Sequence, residues 1–288
     1  MICSICPRKC NVNRDDQTGY CQSKSAFRIA RAALHYWEEP CISGEKGSGT
    51  VFFSGCNLRC AFCQNYEISR DNIGVEISDS KLIDIFENLI SQGAENINLV
   101  NPTHYADRIA KVLAEWKSPV PIVYNTSGYE EADTIKKLDG LVDIYLPDLK
   151  YIRNDKSLRY SKASDYFEKA SQAILEMRRQ VKDTFDGSMM KSGLIVRHLI
   201  LPQNTNSSIE IMDWMNSNLK DTYLSLMSQY TPCGDLTSVP ELNRKITKRE
   251  YEKVVNYALS QGMDKLFLQE LSSADSCYIP PFDFTGVI

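Results

Sequence analysis

Thr50-Val-Phe-Phe-Ser54-Gly55-Cys56-Asn-Leu-Arg-Cys60-Ala-Phe-Cys63 joins a β-rich run to a loop that carries three cysteines. Valine and phenylalanine suit the pleated, half-buried surface of a strand. Thiolates spaced x3 and x2 can wrap one corner of a cubane cluster. A [4Fe–4S] cluster usually takes four cysteines, so a loop of three leaves one iron without a protein ligand. Such an iron can bind substrate or cofactor rather than only relay electrons. A loop directly after a strand of a βα fold lies at the strand's C-terminal end, where barrel chemistry sits. Taken alone, the triplet also fits a zinc site or buried free thiols.

Working outward, the chain reads as strands alternating with amphipathic helices. Ser80 is placed to cap a helix bearing Leu82, Ile83, Phe86, Leu89 and Ile90, ended by Gly93. Strand Asn96–Val100 and a helix with Tyr105, Ile109, Val112, Leu113 and Trp116 on one face follow, stopped at Ser118-Pro119. Val120–Tyr124 and Leu141–Leu146 read as strands around a short helix, Glu130–Leu138. Asp165-Tyr-Phe-Glu168 has a capping-box pattern and opens a longer helix. Gly193–Leu201 is a strand halted by Pro202, Ser207 opens a helix, and Tyr223–Met227 is a further strand. Thr247-Lys-Arg-Glu250 is a second capping box, for a helix ending at Gly262 before a short strand, Lys265–Leu268. Six or seven βα units imply parallel pairing with right-handed crossovers. The expected class is α/β: a partial (β/α)6-type barrel over 49–288, preceded by a small cysteine-rich unit over 1–48.

Composition bounds the function. The 288 residues are 43% apolar and 24% charged, which excludes wholesale disorder. A net charge of −4 argues against a chain built to coat nucleic acid, and the basic N-terminal segment lacks interleaved aromatics for stacking on bases. No uncharged apolar run is long enough for a membrane span, and Met1-Ile-Cys-Ser-Ile-Cys lacks a secretory pattern. A cytoplasmic setting is expected, where ten cysteines mean metal or redox chemistry more readily than disulfides.

Cys-x3-Cys-x2-Cys with an aromatic before the last cysteine resembles the signature of the radical S-adenosylmethionine (SAM) superfamily. Cys6-Pro-Arg-Lys-Cys10, Leu34-His-Tyr-Trp-Glu-Glu-Pro-Cys41-Ile-Ser-Gly44, Gly47–Cys56 and Asn101-Pro-Thr-His-Tyr-Ala106 are similar to its pyruvate formate-lyase activating-enzyme-like (PflX-type) branch. The resemblance covers most of the chain and is most specific up to about residue 150. It implies a [4Fe–4S] cluster on Cys56, Cys60 and Cys63, SAM chelated to the open iron, and reductive cleavage that frees a 5′-deoxyadenosyl radical to take hydrogen from substrate. It also implies that Phe62 lies against the adenine. The cofactors carry that chemistry, while the protein supplies binding, orientation and exclusion of water.

Further SAM contacts are expected at later strand ends. Many relatives carry Gly-Gly-Glu after the second strand to receive the SAM amino group, whereas this chain has Asn101-Pro102-Thr103. Asn125 and Ser127 offer polar groups after the third strand, with Gly128 beside them; the plain alternative is a βα turn with a helix cap. Asp148-Leu-Lys150 matches a stretch of glycyl-radical activating enzymes, and alternation points Asp148 and Lys150 the same way; otherwise they are a surface ion pair. Arg197 reads as buried and in need of an anion, either the SAM carboxylate or an internal Asp. His198 faces the other side and reads as a core histidine.

Cys3, Cys6, Cys10 and Cys21 form a closed set of four, suited to Zn²⁺ or to a fully ligated second Fe–S cluster. Arg8, Lys9, Arg14, Lys24, Arg28 and Arg31 outnumber Asp15 and Asp16 around them, a local positive charge that offsets thiolates or docks an acidic electron donor. The short stretch between Cys63 and Ser80 leaves no room for the cluster-bearing insert of better-known activators. Cys41, Cys233 and Cys277 read as structural thiols, with Cys41 also placed to serve as hydrogen donor or extra ligand, and Trp37 with Tyr36 as core. The leading expectation is a radical SAM enzyme acting on a protein such as a glycyl-radical enzyme, with a flavodoxin- or ferredoxin-type donor, in an anaerobic or microaerobic setting. A small-molecule or cofactor-precursor substrate is the second reading. A non-catalytic metal-binding or redox-relay protein is the third.

Overall fold

The parallel strands carry apolar residues on both faces and therefore need cover on both sides. The computed structural model, which describes residues 2–271 and 280–288, supplies that cover. Its first elements are β1 (Phe27–His35), α1 (Pro40–Ser43), β2 (Ser48–Phe53), α2 (Tyr66–Ser69), β3 (Val75–Ile77) and α3 (Asp79–Ser91). Next come β4 (Ile97–Val100), α4 (Ala106–Glu115), β5 (Ile122–Thr126), α5 (Ala132–Lys136) and β6 (Ile144–Pro147). Then follow α6 (Asn154–Ser161), α7 (Tyr166–Gln180), β7 (Thr184–Asp186), β8 (Met189–Leu199), α8 (Thr205–Asn218), β9 (Tyr223–Met227), α9 (Lys248–Ser260) and β10 (Leu266–Leu268). The strands lie in the order β10-β9-β8-β6-β5-β4-β2-β1-β3, with β7 paired to β8. From β2 to β10 the main path is parallel, while at one end β1 pairs antiparallel with both β2 and β3. The two ends do not pair, so this is the open, partial α/β barrel that the alternation predicts.

Side-chain alternation sorts the core into an outer and an inner part. Val51, Leu99, Tyr124, Tyr145, Leu194, Val196, Leu224 and Leu226 pack outward against helix residues such as Phe86, Ile109, Ile174, Met177, Ile211 and Val254. Their strand neighbours Val123, Ile144, Leu146 and Ile195 point inward and join Cys41 and Ile42. Helix α1 thus plugs the barrel at the N-terminal ends of its strands. Asn96 pins the plug, donating from Nδ2 to the Ile42 carbonyl at 2.7 Å while its Oδ1 accepts from Ser48 at 2.5 Å. No helix among the described residues is long and apolar enough to cross a membrane.

Several local expectations need correction. Ser78, not Ser80, caps α3, its Oγ accepting from the Lys81 amide at 3.1 Å. The capping box at Asp165 does not form, because its Oδ1 accepts the Tyr129 hydroxyl at 2.6 Å instead. The box at Thr247 and Glu250 does form. Helix α8 begins at Thr205, ahead of the expected Ser207. Residues 27–35 fall inside the expected 1–48 unit, yet β1 pairs with β2 from Ile29↔Phe53 to His35↔Ser48 and belongs to the barrel sheet. The cysteine-bearing segment ahead of β1 is anchored by Arg14, a buried guanidinium that donates to the carbonyls of Ser23, Lys24 and His104.

Candidate active site

The loop after β2 folds back over the C-terminal ends of the strands because two residues hold left-handed conformations, Gly55 at φ +88° and Arg59 at φ +52°. Gly55 meets the demand with no side chain, and none would fit. A β-carbon there would lie 2.0 Å from Ser23 Oγ and 2.6 Å from the Cys21 carbonyl oxygen. The turn sets Cys56, Cys60 and Cys63 on one cavity of about 240 Å³, open to solvent, which Phe62, Asn101, Asn125, Ser127, Asp148, Lys150 and Arg197 also line. Among the residues predicted for this site, Thr103 alone is turned away. It is fully buried and donates its hydroxyl to Glu130 Oε1 at 2.5 Å.

Hydrogen-bond donors aim at all three sulfurs. The amides of Leu58 and Arg59 point at Cys56 Sγ at 3.3 and 3.4 Å, Ser161 Oγ donates to Cys60 Sγ at 3.0 Å, and Ser69 Oγ to Cys63 Sγ at 3.4 Å. Burial, and then the neighbouring Cys60, push the Cys56 thiol up. The same causes, with Cys56 added, push Cys63 up to about 12. Such thiols stay protonated unless a metal displaces their protons. Donors already placed on the sulfurs suit thiolates that a metal has deprotonated. The three residues therefore fit one corner of an iron–sulfur cluster.

Below the loop lies a polar layer made by inward-facing residues. Arg197 donates from Nε to Asp148 Oδ1 at 2.9 Å, from Nη1 to Glu38 Oε2 at 3.1 Å and from Nη2 to Asn125 Oδ1 at 2.5 Å. Lys150 pairs with the other Asp148 oxygen, while Asn98 and Asn125 both donate to Glu38 Oε1 at 3.1 Å. Burial pushes the Asp148 carboxyl up, but the Arg197 and Lys150 charges outweigh it and hold the group below the usual carboxylate range. The anion that Arg197 needs is thus internal, and Asp148 and Lys150 form a buried pair rather than a surface one. Ser127 Oγ is buried with no hydrogen-bond partner among the described residues, a polar atom left over at the cavity wall. Asn101, at φ +57°, donates to the Gly55 carbonyl at 2.7 Å and so holds the cysteine loop to the end of β4.

Glu38 was missed by the sequence reading, although it sits in the quoted Leu34–Gly44 stretch beside another Glu and a Pro. Tyr36 and Trp37 are corrected from core to surface at 49% and 60% exposed, and Trp37 lines the cavity. His198 is the expected core histidine, bonded to the Leu149 carbonyl at 2.7 Å and Ser208 Oγ at 2.9 Å and held neutral by burial, its pKa about 4. Cys41 is buried in the plug, Cys233 is half-buried after β9, and Cys277 lies outside the described residues.

Cys6 and Cys21 are buried and Cys3 and Cys10 half-buried; burial pushes the Cys6 thiol up to about 12. Among the described residues, no three His, Cys, Asp or Glu side chains converge on one point that a metal ion would occupy. Zinc needs its thiolates about 2.3 Å from a single ion. Cysteines on a cluster each meet a different iron, and that geometry does not require a common point.

A parallel, open βα barrel with a three-thiol loop over its strand ends defines a class of cofactor-dependent enzyme. Residues 50–210, more than half of the chain, match the family model of the Radical SAM superfamily, and the chain belongs to that superfamily. The uncharacterized protein MJ0674 of Methanocaldococcus jannaschii is 30% identical over 275 residues, covering 92% of this chain and 76% of that protein. Among solved structures, methylornithine synthase (PylB) aligns with a TM-score of 0.51 and 14% identity over 91% of this chain and 67% of its own. The FeFe-hydrogenase maturase HydG from Carboxydothermus hydrogenoformans aligns with a TM-score of 0.50 and 12% identity, over 80% and 56%. At such identities the likeness is one of fold. Membership implies a [4Fe–4S] cluster and SAM, and the thiol loop fits that cluster.

Proposed function

We propose that the chain is a radical SAM enzyme of the PflX-type, pyruvate formate-lyase activating-enzyme-like branch, acting on a protein substrate such as a glycyl-radical enzyme. The observation that carries the radical SAM part is the convergence of Cys56, Cys60 and Cys63 on one cavity with donors on every sulfur. When bound, the cluster and SAM supply one-electron cleavage of a C–S bond and a carbon radical that takes hydrogen from substrate. The chain's own part is to hold the cluster on three cysteines, keep its fourth corner open, and present Phe62, Asn101, Asn125, Ser127, Asp148, Lys150 and Arg197 around SAM. Three nitrogens of Arg197 are held by internal partners, so its role toward SAM is to set the position of Asp148 and Asn125. The protein-substrate reading rests on the Asp148-Leu-Lys150 match and on the branch resemblance. A flavodoxin- or ferredoxin-type donor and an anaerobic cytoplasmic setting belong to the same reading, since an open iron is reactive toward oxygen. For Cys3, Cys6, Cys10 and Cys21 the proposal is a second metal centre, zinc or iron–sulfur, supported by two buried and two half-buried thiols in one short segment.

Anaerobic reconstitution followed by turnover with SAM and dithionite tests the central claim. Methionine and 5′-deoxyadenosine are expected from the wild type, and loss of both in Cys56→Ala, Cys60→Ala and Cys63→Ala chains that keep their fold. A reconstituted, reduced wild type that forms no deoxyadenosine, with or without candidate substrates, overturns the proposal. A glycyl-radical EPR doublet in a partner supports the protein substrate; a modified metabolite replaces it with the small-molecule reading. Iron and zinc analysis of wild type against Cys6→Ser assigns the N-terminal metal, and equal contents refute that centre.

A further inference from the structure

Helix α6, which the hydrophobic pattern does not announce, ends directly on the cysteine loop. Its last residue, Ser161, is fully buried, with Oγ 3.0 Å from Cys60 Sγ and 2.7 Å from the Tyr151 hydroxyl. A serine hydroxyl has one hydrogen to give. If that hydrogen goes to the sulfur, Ser161 can only accept from Tyr151, so the two hydroxyls form a one-way relay, Tyr151 to Ser161 to Cys60. Tyr151 is itself buried and packs its ring edge-on against Tyr166 at 5.1 Å. The relay is thus fixed at its far end by packing.

The near end is clamped by the N-terminal cysteine segment. Arg8 donates from Nε to the Asn57 carbonyl at 2.8 Å, inside the cysteine loop, and from Nη2 to the Ser161 carbonyl at 3.0 Å. Its Nη1 donates to the Lys162 carbonyl. One planar guanidinium therefore ties the end of α6 at Ser161 to the cysteine loop at Asn57, three residues before Cys60. The return contact is the Ala61 amide, which donates to the Tyr160 carbonyl at 2.8 Å.

We propose that Tyr151, Ser161 and Arg8 form a positioning unit that tunes the reduction potential of the cluster through Cys60. This rests on the reading above that Cys60 ligates a [4Fe–4S] cluster. Adding an electron makes the cluster and its thiolates more negative. A hydrogen bond to a ligand sulfur stabilises the more negative, reduced state and raises the potential, and burial keeps the bond from being replaced by water. Cys60 alone among the three receives its hydroxyl donor from a relay locked at both ends. Cys56 takes backbone amides, and Cys63 takes the longer Ser69 contact.

The test is a redox titration of the reconstituted chain, following the reduced cluster by EPR, in wild type, Ser161→Ala and Tyr151→Phe. Iron and sulfide contents are measured first. Wild type that takes up no cluster refutes the assignment of Cys60 as ligand rather than the relay. With cluster loaded, Ser161→Ala is expected to shift the midpoint potential negative. Tyr151→Phe is expected to shift it in the same direction by less, because Ser161 keeps its hydrogen but loses the partner that aims it. A merely structural role would lower cluster content or stability and leave the potential of the loaded fraction unmoved. An unmoved or positive potential in Ser161→Ala overturns the proposal. Should that variant fail to load, an unmoved potential in Tyr151→Phe overturns it equally.

Discussion

Replacing Arg197 by methionine keeps the length of the side chain and removes its charge from the inner polar layer. The three side chains that meet there are little exposed, Arg197 at 13%, Asp148 at 12% and Glu38 at 11%. Breaking a buried, hydrogen-bonded ion pair costs about 3–5 kcal/mol, chiefly because the partner charge is left buried and alone. Lys150 still offsets part of the Asp148 charge, and Glu38 is left with the amide donors of Asn98 and Asn125 alone. The lower end, about 3 kcal/mol, is expected. With a urea dependence of about 3 kcal/mol/M, the unfolding midpoint falls by about 1 M. A carboxyl held below its ordinary value contributes stability above an unfolded pKa of about 3.9 and loses it as pH falls through the folded value. Asp148 is held that way, so the gap between Arg197→Met and wild type is full at pH 7 and shrinks below about pH 4. Anaerobic urea unfolding followed by circular dichroism reads both quantities. A loss under about 1 kcal/mol at pH 7, or a gap that widens with acid, refutes the view that these groups form a desolvated, mutually dependent layer.

Gly55→Ala meets both a positive φ and a wall of atoms, whereas Gly140→Ala, at φ +74°, meets nothing within 4 Å. The first should cost about 2–4 kcal/mol and the second about 1, by thermal unfolding; equal costs would show that the N-terminal segment does not press on the loop. Burial raises Glu130 from 4.5 to about 7, against the hydroxyls of Thr103 and Thr126. A raised carboxyl loses stability as pH climbs from the unfolded value to the folded one, about 3 kcal/mol here by linkage. Glu130→Gln should therefore flatten the stability profile between about pH 4.5 and 7, and an unchanged slope would count against a buried, protonated carboxyl. Thr247→Ala removes the hydroxyl that accepts from the Glu250 amide in the capping box on α9, leaves the backbone half of the box in place, and should cost about 1 kcal/mol, read as a lowered unfolding temperature.

The barrel strands were legible because the apolar runs are short, β-rich and bounded by caps and glycines. The cysteine loop was legible because ligand spacing is a local property. What the pattern hides is what tertiary contact decides. Strand β1 reads Phe27-Arg-Ile-Ala-Arg-Ala-Ala-Leu-His35, with two arginines and three alanines. It becomes a strand through pairing with β2 rather than through propensity. Asp165 begins a helix as predicted, but Tyr129, distant in sequence, takes the carboxylate that the cap would have used. Thr103 sits at the expected strand end yet turns to Glu130, a partner that only the folded chain brings within reach. Arg197, read as buried and needing an anion, keeps 13% of its side chain exposed and pairs with Asp148, the internal carboxylate; Glu38 adds a second, whose place in the interior follows from the α1 plug and from no periodicity.

That plug also explains why the sheet can carry a polar interior at all. Arg197, Asp148, Glu38, Asn98 and Asn125 are largely withdrawn from water, and that would be costly if they did not hydrogen-bond one another. Cys41 and Ile42 close one end with apolar side chains, and the cysteine loop roofs the other. Between them the charged groups are short of solvent and answer one another. The roof in turn is held by the N-terminal segment through Arg8 on Asn57 and through the Cys21 carbonyl against Gly55. The four N-terminal cysteines are therefore not a detachable appendage to the chemistry of the other three. Arg8 and the Cys21 carbonyl tie the order of that segment to the loop bearing Cys56, Cys60 and Cys63, so a change that loosens the one is expected to loosen the other.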